Sequence, residues 1–182
     1  MKKESSAIPL DVRAFAQSAG QRSASDPLQK YERLLQDVGE EAADTPVEWS
    51  AQGELRPVTG GPGQIWLHLQ AHATLPMTCQ RCLSEVEVAL DVDRSYRFVA
   101  DEATAEAEDD DSEEDVLAID PEFDLAVLIE DELLMEMPLV PVHDVCPTEV
   151  KLEVVDEGFD KAMADKPKPF AALAKLRGGG LE

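Results

Sequence analysis

"IWLHLQAHATL", residues 65–75, alternates strictly: Ile65, Leu67, Leu69 and Ala71 point one way, and Trp66, His68, Gln70 and His72 the other. A period of two with apolar residues on one side is the pattern of a strand that buries one face of a sheet. The same pattern extends outward in both directions. Before it, "VEWSAQGELRPV" (47–58) leads into the turn cluster "TGGPGQ" (59–64). After it, "EVEVALDVD" (85–93) places Val86, Val88, Leu90 and Val92 on one face, and "RSYRFVA" (94–100) adds Tyr96 and Phe98. Together these pieces predict an antiparallel meander with one buried face.

Helical signals flank the meander. "PLDVRAFAQSAG" (9–20) predicts a short helix with Asp11 near its start and Gly20 after its end. In "DPLQKYERLLQDVGEE" (26–41), Asp26 suits a cap and Pro27 the first helical position, while Leu28, Tyr31, Leu34, Leu35 and Val38 form an apolar stripe suited to packing on the sheet. "IDPEFDLAVLIEDELLMEMP" (119–138) predicts another helix, from Asp120-Pro121 to a stop at Pro138, with Leu125, Leu128, Ile129, Leu133 and Met137 turned inward. The expected fold class is α+β: an antiparallel sheet or partly closed barrel with flanking helices and a disordered acidic loop.

That loop is residues 101–115, "DEATAEAEDDDSEED", with ten acids and no base. Such a block repels itself and has little apolar surface to bury, so it reads as a mobile loop within a single domain at 1–165. It serves solubility or engages a basic protein. A basic amphipathic tail follows at 166–182, where Lys166, Lys168, Lys175 and Arg177 surround Phe170, Leu173 and Leu176. It suits docking onto the acidic body or contact with a partner or RNA.

The 182 residues carry 39 acids against 16 bases, a net charge of −23. Nucleic-acid binders normally present a basic footprint, because phosphate neutralisation drives their association. Direct RNA binding is therefore expected to be weak or absent, and a basic protein partner fits the field better. The N-terminus has charges and a proline where a secretory signal needs an apolar core. No apolar run approaches the roughly 20 residues of a membrane helix, and three cysteines allow no even disulfide framework. The expectation is a soluble, cytoplasmic protein without membrane contact.

Two of the cysteines form Cys79-x-x-Cys82, at a turn between predicted strands; His143-x-x-Cys146 lies about sixty residues later. Each close pair presents two ligands from one tight turn, and together they supply the four donors of a tetrahedral zinc site. Whether the pairs meet is decided by the fold. A thioredoxin-like redox pair opens a helix, whereas the alternating "SEVEVAL" that follows here predicts a strand. His68 and His72 stand about 13 Å apart at strand pitch, too far to share an ion. The acids Glu130, Asp131 and Glu132 are consecutive and splay around a helix, and paired-carboxylate catalysis needs convergence. No G-x-S-x-G elbow, phosphate-cradling glycine loop or H-E-x-x-H motif occurs. The residues thus point to a noncatalytic protein with zinc as its one candidate cofactor.

"CQRCLSEVEV" (79–88), "DLAVLIEDELLMEMPLVPVHD" (124–144) and "KPKPFAALAKL" (166–176), in that order and with "IPLDVRAFAQ" (8–17) ahead of them, resemble the YceD family of large ribosomal RNA subunit accumulation proteins. The resemblance implies a role in accumulating large-subunit ribosomal RNA, hence in ribosome assembly, with a ribosomal protein or pre-ribosomal particle as partner. It transfers no catalytic residue. Some relatives carry more cysteines near the second pair, where this chain has His143 and Cys146. An acidic chaperone or nucleic-acid mimic for basic proteins is the alternative from the charge alone, and an RNA-processing nuclease would need converging acids or a histidine pair.

Overall fold

Two 15-residue strands, β3 (Gln64–Thr78) and β4 (Glu85–Val99), form the longest pairing in the molecule, from Ile65 opposite Phe98 to Thr78 opposite Glu85. The computed structural model describes residues 7–149 together with 154, 156, 158 and 159. The chain divides into two compact units, Met1–Cys146 and Pro147–Glu182, and the fold described here is that of the first. The basic tail at 166–182, and the domain end expected at residue 165, lie outside the described residues.

β2 (Pro46–Arg56) pairs antiparallel with β3, and β1 (Gln21–Pro27) pairs antiparallel with β2. A short β5 (Asp115–Ala118) adds in parallel to β4, giving an open sheet in the order β1-β2-β3-β4-β5. The sheet does not close into a barrel. Period-two patterning decides which side is covered. Val47, Trp49, Leu67, Leu69, Ala73, Leu75, Leu90, Tyr96 and Phe98 are buried in one cluster with residues of α1 (Val12–Gln17), α2 (Glu32–Val38) and α4 (Leu125–Glu136). Leu125, Ile129 and Leu133 of α4 are fully buried, each contributing about 1.5–3 kcal/mol by leaving water. α1 lies so close to β2 that a Cβ at Gly53 would come within 2.9 Å of the Ala16 Cα.

The helix predicted from Asp26 begins later than its sequence suggests. β1 runs through Asp26 to Pro27, a 3-10 turn follows at Leu28–Lys30, and α2 starts only at Glu32. Asp26 is the reason. It is buried, and its carboxylate accepts from Trp49 Nε1 at 2.9 Å, Lys30 Nζ at 2.5 Å and Tyr31 Oη at 3.4 Å. α2 consequently has no side-chain cap of its own. Glu130 of α4 supplies one, accepting the Arg33 amide at 2.7 Å and the Leu34 amide at 3.4 Å while holding Arg33 Nε at 2.9 Å. α4 also starts later than predicted. Asp120 closes a turn onto the Glu122 amide, and Asp124 caps the helix through the Ala126 amide while accepting the Ile8 amide.

The acidic stretch, expected as a mobile loop, contains a helix, α3 (Glu102–Asp109), and leads into β5. Asp101 caps α3 through the Thr104 amide. Arg97 of β4 is the counter-charge that the one-dimensional reading left out. Its buried guanidinium meets Glu108 at 2.5 Å, Glu114 at 2.9 Å and Ser112 Oγ at 2.9 Å. Trp66, Ala105 and Val116 are buried apart from the main cluster, and Trp66 and Val116 flank Arg97 in the sheet register. Two carboxylates on one arginine, plus this second apolar contact, offset the repulsion among the acids.

Two predictions follow from these buried charges. Burial pushes the Asp26 carboxyl up, but hydrogen bonds from Lys30 and Trp49 outweigh it and hold the group below 3.8. A carboxyl so depressed stabilises the fold fully above its unfolded value and loses that effect as pH falls from there through its lower folded value. Asp26→Asn is expected to cost about 1–3 kcal/mol at neutral pH, with the gap to the parent narrowing below pH 4 in urea unfolding. Arg97→Met is expected to leave the main sheet folded while limited proteolysis within residues 101–115 accelerates. Unchanged cleavage there would show that Arg97 does not hold the segment.

Candidate metal centre

The β3–β4 ladder ends at Thr78 and Glu85, and the six residues between them form the knuckle. The Cys79 amide donates to the Ser84 carbonyl at 2.9 Å, and the Leu83 amide returns to the Cys79 carbonyl at 2.8 Å. Leu83 takes a positive φ of 60°, so this tight turn places a branched side chain in the left-handed region. That closure brings Cys79 and Cys82 to the same side.

The second pair arrives from the other end of the fold. After α4 stops at Glu136, residues 137–146 run without helix or strand back to the knuckle. Pro141 is buried there, and its carbonyl accepts the Gln80 amide at 2.8 Å. Arg81 donates to the His143 carbonyl. The result joins all four predicted ligands. One donor atom each from Cys79, Cys82, His143 and Cys146 lies within 4.8 Å of the others, and Cys82 Sγ stands 3.4 Å from His143 Nδ1. Cys79 is fully buried and the other three are half-buried.

The electrostatics favour the thiolates of Cys79 and Cys82. Burial pushes the Cys79 thiol up, but the amides of Cys82, His143 and Arg81 and the His143 ring override it and bring it down to about 5. The Ser84 hydroxyl, 3.0 Å from Cys82 Sγ, and the Ser84 amide lower Cys82 as well. Cys146 is raised by burial and by the neighbouring sulfurs. His143 is raised by the Cys79 and Cys82 sulfurs beside it. Three thiolates in so small a space repel one another unless a cation sits among them. This donor set suits a soft, tetrahedral divalent ion, with all four positions filled by protein.

The remaining candidates separate. His68 lies between Ser95 Oγ at 2.7 Å and Glu54 at 3.1 Å, and His72 pairs with Asp91 at 2.7 Å. Glu130 and Asp131 both engage Arg33, whereas Glu132 faces Arg94 at 3.7 Å. Arg81, Ser84 and Pro141, which shape the centre through backbone contacts, were not singled out from sequence. Their partners lie up to 62 residues away, and no spacing pattern marks a bond to a main-chain carbonyl. Among the described residues no helix is long and apolar enough to cross a membrane.

Fold and site together define a small α+β protein whose β3–β4 hairpin meets a distant chain segment at a cluster of three cysteines and one histidine that could hold a metal ion. The chain belongs to the YceD family, described as large ribosomal RNA subunit accumulation protein YceD, which it matches over residues 67–177. It is 30% identical over 153 residues to the large ribosomal RNA subunit accumulation protein YceD of Haemophilus influenzae, covering 81% of this chain and 82% of that relative. No solved structure matches it.

Cobalt(II) added to the reduced protein is expected to produce intense thiolate charge-transfer absorption and the visible bands of a tetrahedral site. Cys82→Ser should weaken the charge-transfer band. A spectrum of octahedral, aquated cobalt would contradict the assignment.

Proposed function

We propose that this protein is a noncatalytic ribosome-biogenesis factor that supports the accumulation of large-subunit ribosomal RNA. It acts by binding a basic ribosomal protein or an assembly intermediate, so that the RNA is processed or protected. The observation that carries this reading is the family match across residues 67–177, which spans the hairpin, the knuckle and the ligand-bearing segment. The net charge of −23 adds the direction of recognition, toward a cationic protein and away from phosphate.

Within this role the Cys79, Cys82, His143 and Cys146 cluster holds zinc. The ion supplies a cross-link and neutralises thiolate charge. The protein's own residues do the rest: the Ser84 hydroxyl and the knuckle amides stabilise the sulfurs, and Arg81 and Gln80 fix the segment that delivers the second pair.

A general acidic chaperone would bind many basic proteins through its densest acids. Ordering of that stretch around Arg97 favours recognition by a folded surface instead. Depleting the protein from its host is expected to lower large-subunit ribosomal RNA relative to small-subunit RNA. The tagged protein should sediment in part with large-subunit precursors in a gradient at moderate salt. An unchanged RNA ratio, together with sedimentation solely as free protein, would overturn the reading.

A further inference from the structure

Five large apolar side chains stand in solvent around the metal centre. Leu83 is 75% exposed, Leu139 100%, Val140 60%, Val142 47% and Val145 85%. They come from the two segments that the centre joins: Leu83 from the knuckle, and the other four from the irregular run between α4 and the last ligand. The Gln80–Pro141 bond, the Arg81–His143 bond and the 3.4 Å approach of Cys82 to His143 bring these segments onto one surface. Scattered exposed leucines and valines need no explanation, but a group of this size on one surface marks an interaction site. Met137 and Pro141 of this run turn inward, whereas Leu139, Val140, Val142 and Val145 stand exposed and are absent from the core cluster.

The charges around the patch name its occupant. Glu85 and Glu87, which follow the knuckle in β4, Glu136 at the end of α4 and Asp144 between the second pair are exposed. Within residues 79–87 and 136–146 the one lysine or arginine is Arg81, and its guanidinium donates to the His143 carbonyl. A surface that carries apolar side chains together with carboxylates matches a protein segment with apolar residues between lysines and arginines. It offers phosphate almost nothing. We infer that this metal-organised patch is the docking surface for the basic protein partner. The inference rests on the proposed function and specifies where on the molecule its partner binds.

The test uses the full-length, metal-loaded protein, immobilised and offered two probes: purified proteins extracted from large ribosomal subunits, and large-subunit ribosomal RNA. Retained proteins are identified by mass spectrometry, and the dissociation constant of the tightest is then measured. The double variant Leu139→Glu/Val145→Glu changes two exposed positions and no ligand, and its cobalt spectrum reports that the centre still forms. It is expected to weaken binding of that basic protein roughly tenfold or more. Val127→Glu, on exposed α4 surface, should leave binding unchanged. Undiminished binding by the double variant would overturn the patch while leaving the proposed function intact. Retention of RNA instead of protein by the parent would overturn both, as would retention of neither.

Discussion

The pairing of β3 with β4 is the constraint on which the rest of the structure depends. Its register sets Leu67, Leu69, Ala73, Leu75, Leu90, Tyr96 and Phe98 on one face, and the helices cover that face. The same register puts Arg97 beside Trp66 on the opposite face, where Arg97 meets Glu108 of α3. A one-residue slip would exchange the two faces and bury Arg97, His68 and Asp91 in the main core. It would also displace Cys79 from Cys82 and Ser84, so the fold and the candidate centre answer to one ladder.

Charge is handled locally at three points. Asp26 gathers Lys30, Trp49 and Tyr31, Glu130 caps α2 and holds Arg33, and Arg97 holds two acids of the densest acidic stretch. Each pairing spends a charge that the net figure of −23 conceals, and each fixes a segment that local propensity leaves undecided. The exposed acids that remain give the molecule its field. Near the Cys79–Cys146 cluster, exposed acids and exposed apolar side chains occur together.

Much of this was legible in the residues. Alternation at 65–75 and 85–99 identified the hairpin and its buried face, since side-chain direction in a strand follows from position alone. Spacing singled out the four side chains that the fold gathers into one cluster, and Pro138 the end of α4. What escaped was non-local. Asp26 reads as a helix cap until Trp49 is seen to reach it across the sheet. Asp120-Pro121 reads as a helix start until Asp124 is found bonded to the Ile8 amide, 116 residues back in the chain. The acidic stretch reads as disordered because repulsion within it is evident, whereas its counter-charge is one arginine in a neighbouring strand. The meeting of the two ligand pairs depends on residues 137–146 turning back to the knuckle, which no periodicity encodes.

Whether that turn is held by metal is the point on which the centre, the ordered segment and the apolar patch jointly rest. The most direct measurement is elemental analysis of the native protein, purified under reducing conditions without added metal or chelator. One zinc per chain, lost on replacement of Cys79 and Cys82 by serine, is the expected result. A protein that is folded, monodisperse and devoid of stoichiometric zinc or any other bound transition metal would contradict it.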